Sequence, residues 1–506
     1  QVLLNRRGHV DETMAIDATD ATRAIRSGPV RETAVYDVFD NITYVKGGAV
    51  LGMIEQWLGE ERFRRGLAAY MREQRLSNAT AGDLWFHIGR AAGRDVASMA
   101  ASWTNQPGFP LVSVQSRCDG GVTRVALSQR RFRAPASAAS SSATWQIPVR
   151  LARGAQAATV LLSGASATAT LAGCSDEPVR ANAGGIGYYR TAYDAQARAA
   201  LQVRFVRLPP ADRVLLLADV LALAQAGDLP LAEALRWLAG LHDVRDAARV
   251  PLFGQAVEAF EWLDNAFTGT PQQATLRESA RALLKPELAR LGWDPAAADD
   301  AETLALRARL VRALGRLQDP DTQAEALARV ERDEALTPRL HRSVREAAQV
   351  VAGARADRAR FDRMLAQLAA ANGEQERRTL VSALASSGDA ARATELLDRM
   401  LKGDLPPNTA MLVPMKMAEL SPLGGDIVYR HLIAHWPAWA QLAGPYGRRW
   451  LLPEAAWHSN DPARAQQLLA DQQRLVGPDG QAMAARAAAH IGQLADIRDR
   501  AATIGP

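Results

Sequence analysis

Cysteine is nearly absent from this chain of 506 residues, since Cys118 and Cys174 are the only two. Two cysteines exclude a four-cysteine zinc cluster and leave one possible disulfide. Long hydrophobic runs are missing as well: the longest nearly apolar segment, Val214 to Gly227, is interrupted by Asp219 and is shorter than the ~18 residues of a membrane span. The first residues also lack the basic-then-apolar pattern of a leader. We therefore expect neither a membrane span nor a targeting peptide.

A large excess of one charge is also missing. The chain has 60 basic and 55 acidic residues, which leaves a net charge of +5, and the two signs are interleaved. This pattern argues against a nucleic-acid partner, which would require a basic stripe. With 48% hydrophobic and 23% charged residues the composition is that of ordinary globular protein, and the length predicts three or four domains.

Hydrophobic periodicity divides the chain into three regions. Apolar residues fall at helical spacing from Asn41 to about Trp103, and Thr80 with Asp83 is typical of a helix N-terminus. Alternation with period two then begins at Leu111, and a turn at residues 118–121 predicts a β-hairpin. Further short strands up to about residue 192 predict a small β-sandwich. From residue 193 the chain is rich in Ala, Leu and Arg, with frequent Gly and Pro breaks.

These breaks separate helices that are too short to bury their apolar faces alone, which predicts an α-solenoid of antiparallel helix pairs. The breaks are expected at 227–230, 268–271, 293–295, 319–321, 403–407 and 422–425. The sequence thus predicts a multidomain, mainly α protein with domains at residues 1–106, 107–192 and 193–506.

A metal centre is not expected from the eight histidines. The only pair at helical spacing is His431 and His435, and a hydrolytic zinc site of the H-E-x-x-H type would need a glutamate where Leu432 stands. The simpler interpretation is two partly buried helix histidines beside Trp436. Because the sequence shows no three-ligand set, the chain alone is expected to bind no zinc.

An ordered series of short motifs resembles the end of the catalytic domain in the aminopeptidase N family of zinc metallopeptidases (gluzincins). It begins with Phe39-Asp40-Asn41-Ile42-Thr43-Tyr44-Val45-Lys46-Gly47. The later members are Trp57-Leu58-Gly59, Phe63-Arg64-Arg65-Gly66-Leu67, Asn78-Ala79-Thr80 and Trp103-Thr104-Asn105-Gln106-Pro107-Gly108-Phe109-Pro110. The resemblance also covers the strand region and the first helix after it, and beyond about residue 240 it is only compositional.

The resemblance implies a specific architecture and a catalytic residue. It implies the helical remainder of a thermolysin-like catalytic domain, a small β-sandwich, and a helical domain that forms a wall over the active site. It further implies that Tyr44 donates a hydrogen bond to the developing oxyanion. A phenol suits this role because it keeps its proton at neutral pH. The alternative is a core tyrosine at a helix start.

The family's zinc ligands lie upstream of this tyrosine, and none occurs between Gln1 and Thr43. The resemblance therefore implies the C-terminal portion of a zinc aminopeptidase, whose partners are peptide substrates and an upstream catalytic half. The chain alone is expected to be inactive. The alternative function is a non-catalytic helical interaction module derived from such an enzyme.

The two cysteines bear on the compartment. Cys118 falls at the predicted hairpin turn and Cys174 just before the last predicted strand, so a sandwich could bring them within disulfide reach. A bridge would favour a periplasmic or secreted location over the cytosol.

Overall fold

The computed structural model of the protein describes residues 2–26, 28, 38–136, 142–334, 340–409 and 411–501. The chain forms two compact units, residues 1–248 and 249–506. The described residues contain twenty-one α-helices and seven short β-strands. The predicted mainly α, multidomain fold is therefore confirmed. None of the helices in these ranges combines the length and hydropathy needed to cross a membrane.

Five helices and a π-helical turn at Ile42–Lys46 open the first unit. The helices are α1 (Val2–Asp17), α2 (Gly47–Leu58), α3 (Glu60–Glu73), α4 (Ala81–Ala92) and α5 (Val96–Thr104). Thr80 and Asp83 form the expected capping box at the start of α4. Helices α3 and α4 approach closely at Gly66, where an added Cβ would lie 2.6 Å from the Cα of Ile88.

Two small sheets follow these helices. Their strands are β1 (Pro110–Asp119), β2 (Val122–Arg131), β3 (Ile147–Arg153), β4 (Gln156–Leu162), β5 (Ser166–Ala172), β6 (Arg180–Ala181) and β7 (Arg190–Tyr193). One sheet has the order β5-β2-β1-β7 and the other β4-β3-β6. The predicted hairpin is present as β1 and β2, whose register pairs Val114 with Leu127. The arrangement of the two sheets as a sandwich stays a prediction.

The first unit ends with α6 (Ala195–Val203), α7 (Pro210–Ala226) and α8 (Leu231–Ala239). Helix α7 is buried on nearly every side, which explains its long apolar run. Asp219, which interrupts this run, is buried. Its carboxylate accepts two hydrogen bonds from Thr191, one from the backbone N–H at 3.0 Å and one from the side-chain hydroxyl at 2.5 Å. Asp219 thus fastens α7 to β7. The three-domain division stays a prediction.

In the described residues of the second unit, the regular structure consists of α-helices and short 3-10 turns. The α-helices are α9 (Arg249–Ala266), α10 (Gln272–Leu291), α11 (Ala301–Arg316), α12 (Pro320–Glu334), α13 (Arg342–Ala354), α14 (Arg358–Ala370), α15 (Glu374–Ala385), α16 (Ala390–Lys402), α17 (Leu412–Leu420), α18 (Gly425–Ala434), α19 (Trp436–Ala456), α20 (Pro462–Leu475) and α21 (Gln481–Ala501). The breaks predicted at 227–230, 268–271, 293–295 and 403–407 lie between two α-helices, whereas those at 319–321 and 422–425 extend into the first residues of α12 and α18.

The packing within this unit follows a regular order. Each odd-numbered helix from α9 to α19 contacts the next odd-numbered one, and most even-numbered helices pack against their neighbours in the chain. Helix α21 also contacts α9, so the last helix meets the first. Apolar residues between Ala356 and Ile491 form one continuous core. This order is compatible with stacked helix pairs, and the solenoid itself stays a prediction.

A disulfide joins Cys118, at the end of β1, to Cys174, with 5.6 Å between the two Cα atoms. The predicted bridge is confirmed. Both cysteines are exposed, so replacing them leaves no cavity. Because the bridge closes a loop of 56 positions, we expect the double variant Cys118→Ala/Cys174→Ala to lose about 4 kcal/mol in the free energy of unfolding of the first unit.

Urea unfolding of the double variant measures this loss. The wild-type chain in reducing buffer should show the same shift, whereas the variant should not respond to reductant. A loss below ~1 kcal/mol would mean that strand pairing already restrains this loop in the unfolded chain.

Candidate functional site

Tyr44 lies in the middle of the π-helical turn that leads into α2. Its backbone N–H donates to the carbonyl of Asp40 at 3.1 Å, and its ring centroid lies 6.2 Å from that of Phe39. The side chain is 60% exposed. π-helical turns are rare and often mark functional sites. The interpretation of Tyr44 as a core tyrosine is therefore wrong, because its phenol faces solvent.

A polar network fixes the backbone just before Tyr44. The guanidinium of Arg23 donates to the carboxylate of Asp40 at 2.6 Å, to the hydroxyl of Thr43 at 2.5 Å and to the carbonyl of Val38 at 3.1 Å. The carboxylate of Asp40 also accepts the backbone N–H of Thr43 at 3.1 Å. Charge-assisted bonds of this kind are among the stronger ones in proteins. They hold the residue next to the tyrosine in place.

A fully buried ion pair fixes the backbone just after Tyr44. The ammonium of Lys46 lies 2.8 Å from the carboxylate of Asp17 and donates to the carbonyl of Gly108 at 2.8 Å. Asp17 also accepts the backbone N–H of Gly108 at 3.0 Å, the hydroxyl of Thr22 at 2.5 Å and that of Tyr188 at 3.2 Å. The pair links the π-helical turn to the end of α1 and to the segment before β1.

Burial and the ion pair with Asp17 have opposite effects on the pKa of Lys46. Removal from water lowers the pKa of its ammonium, and the adjacent carboxylate of Asp17 opposes that change. The two side chains lie on opposite sides of the turn: that of Lys46 is buried in the protein, whereas that of Tyr44 is exposed. The turn therefore presents an exposed phenol on a backbone that is anchored on both sides. Such fixed presentation is what positioned catalytic groups require.

The family motif identified Tyr44 as a candidate site residue from the sequence, but it gave no indication that Arg23 and Asp17 support the turn. Asp17 lies 91 positions from Gly108 and 171 from Tyr188. No local pattern indicates contacts of that range. The signal that was available is Lys46 itself, because a lysine inside an apolar helical stripe needs a buried partner.

The histidine pair differs from its predicted surroundings. His431 is buried on α18, whereas His435 is exposed at the C-terminal cap of that helix. The indole N–H of Trp439, not Trp436, donates to Nδ1 of His431 at 3.1 Å. Asp398 on α16 lies 2.9 Å from Nε2 of the same ring. Burial is the main cause that lowers the pKa of the His431 imidazole, and the hydrogen bond with Asp398 opposes this effect.

Among the described residues, Asp398, His431 and His435 form the one group whose ligand atoms could hold a metal ion. This group does not fit a hydrolytic zinc centre. Leu432 stands where the water-activating glutamate would be, and both ring nitrogens of His431 already have partners. The group also belongs to the second unit, whereas Tyr44 belongs to the first. No catalytic step is assigned to it.

Comparison with known proteins gives two family matches. The model of the ERAP1-like C-terminal domain matches residues 179–470, and that of the peptidase family M1 domain matches residues 3–103. A match over more than half of the chain defines its class as proteins with an ERAP1-like C-terminal domain. Within that class the chain belongs to the aminopeptidase N family, because the M1 model matches a second segment of the chain and similar proteins are M1 aminopeptidases.

Individual relatives agree with this assignment. Aminopeptidase M1-A of Oryza sativa subsp. japonica is 27% identical over 407 residues, which cover 77% of this chain and 45% of the relative. Aminopeptidase M1 of Arabidopsis thaliana is 26% identical over 84% of this chain and 50% of its own length. The puromycin-sensitive aminopeptidase of Caenorhabditis elegans is 29% identical over 59% of this chain and 33% of its own length. The chain thus spans half or less of each relative. These relatives are eukaryotic, so they do not support the bacterial source that a periplasmic location would imply.

Proposed function

We propose that the chain is part of a zinc-dependent aminopeptidase that removes N-terminal residues from peptides, and that it contributes Tyr44 as the donor to the oxyanion. The observation that carries this proposal is the exposed phenol on a π-helical turn whose two flanks are held by buried or partly buried charge pairs. Membership in the aminopeptidase N family supports the reaction class.

The chemistry follows from the hydroxyl group. When a peptide carbonyl becomes tetrahedral, negative charge develops on its oxygen, and a preoriented O–H donor stabilises that charge more than it stabilises the ground state. Tyr44 can do this without changing its own charge. Zinc, when bound in such an enzyme, activates the attacking water. We propose that an upstream part of the same protein holds that ion.

The compartment belongs to the same proposal. The Cys118–Cys174 bridge supports an oxidising location, periplasmic or secreted, because disulfides of this kind persist there.

The test compares this chain with the same chain joined to its natural upstream sequence. Hydrolysis of alanyl and leucyl anilides is measured with and without a zinc chelator. We expect no turnover by this chain alone, and chelator-sensitive turnover by the longer protein. If the coding sequence upstream of residue 1 contains no zinc-ligand motif, or if the longer protein is equally inactive, the chain is instead a helical interaction module.

A further inference from the structure

Three side chains that could bind a metal converge where α16 meets α18. Asp398 lies on α16, His431 lies on α18, and His435 caps the end of α18. One ligand atom from each of them lies within 4.8 Å of the others. We propose that these three residues bind one divalent transition-metal ion, which links α16 to the end of α18. The site goes beyond the proposed peptidase function and does not depend on it. It replaces the expectation from the sequence that the chain alone binds no zinc, because the third ligand, Asp398, comes from another helix.

The donor set selects the class of ion. Two imidazole nitrogens and one carboxylate oxygen suit Zn²⁺, Co²⁺, Ni²⁺ and Cu²⁺. Mg²⁺ and Ca²⁺ prefer six or more oxygen ligands, which these residues do not supply. Because His435 is exposed and Asp398 is half-buried, water can reach the ion and complete its coordination. The site is therefore accessible without unfolding of α18.

The geometry needs only a small adjustment. Ligand atoms about 2.1 Å from a tetrahedral ion lie roughly 3.4 Å apart, whereas the ligand atoms of this group lie up to 4.8 Å apart. Nε2 of His431 and the Asp398 carboxylate are already 2.9 Å apart. His435 is the ligand that must move toward the other two. Its backbone is not helical and its side chain is exposed, so neither restricts this movement. Its ring centroid is 4.6 Å from that of His431.

Trp439 competes with the metal for His431. In the structure the indole N–H of Trp439 donates to Nδ1, so the ring proton is on Nε2 and points to Asp398. A metal on Nε2 of the neutral imidazole requires that proton to move to Nδ1. Since a protonated Nδ1 cannot accept a hydrogen bond, metal binding must break the bond to Trp439. The fully buried Trp439 is thereby coupled to occupancy of the site.

The first experiment measures binding to the chain described here. Cobalt(II) is titrated and followed by its visible absorption, and Zn²⁺ is titrated by calorimetry. We expect one ion per chain, with an affinity that falls more than about tenfold in His435→Ala and in Asp398→Asn. His435 is exposed, so its replacement does not disturb the core. The matched control is His242→Ala, because His242 is exposed in the first unit and remote in sequence from the proposed ligands.

Two further measurements distinguish specific binding at this site from nonspecific binding by surface histidines. Zn²⁺ should raise the thermal midpoint of the second unit in wild type but not in His435→Ala. Trp439→Phe removes the competing donor and should tighten binding by about tenfold, provided that circular dichroism shows a folded chain. If Zn²⁺ and Co²⁺ show no saturable binding near one ion per chain, or if His435→Ala binds as tightly as wild type, the proposal is wrong. Neither result depends on peptidase activity.

Discussion

Replacing Tyr44 by phenylalanine in the complete enzyme is expected to lower kcat by roughly two to three orders of magnitude while KM changes little. The substitution removes only the hydroxyl group. Within the part of the chain that the structure describes, that hydroxyl has no protein hydrogen-bond partner, and the side chain is 60% exposed. Because the donor is used mainly in the transition state, its loss should raise the barrier without weakening substrate binding.

The effect has to be distinguished from a change in folding or in metal content. Tyr446→Phe is the matched control, since Tyr446 is 56% exposed and belongs to the second unit. It should leave kcat unchanged. Both variants should unfold at the wild-type urea concentration and bind the same amount of zinc. A Tyr44→Phe enzyme with near-normal kcat would show that the exposed phenol does not act on the oxyanion.

The sequence predicted those parts of the fold that depend on neighbouring residues. Helix breaks such as the one between α7 and α8 follow from Gly and Pro, whose backbone preferences are local. The hairpin of β1 and β2 follows from period-two alternation and two adjacent glycines, both with positive φ. By contrast, α1 was not predicted, because its inner face includes the buried polar residues Thr13 and Asp17 instead of an apolar stripe.

In the two candidate sites, likewise, the residues marked by a local sequence pattern were predicted and their distant partners were not. Tyr44 was found because a family motif is contiguous in sequence. Asp398 was not associated with the histidine pair, since it is 33 positions before His431 and only the packing of α16 against α18 brings them together. Trp439 was missed as a partner in favour of Trp436, because the choice between them depends on how the chain turns after His435.

The second large effect is expected from Lys46→Met, which keeps most of the side-chain volume but removes the charge. Asp17 would remain fully buried without its cation. Removing one partner of a buried ion pair commonly costs about 3–5 kcal/mol, so we expect a loss of this size in the free energy of unfolding of the first unit. Urea unfolding followed by tryptophan fluorescence measures it, because Trp103 and Trp145 are buried in this unit.

Two further variants identify the source of the loss. Arg64→Met removes one partner of the exposed pair with Glu61 and should change stability by less than ~1 kcal/mol. In the double variant Lys46→Met/Asp17→Asn the unpaired charge is gone, while an amide oxygen can still accept from Gly108 and Thr22. We therefore expect it to be more stable than Lys46→Met alone. A double variant as unstable as the single one would mean that the loss comes from the missing bond to the Gly108 carbonyl and not from the uncompensated carboxylate.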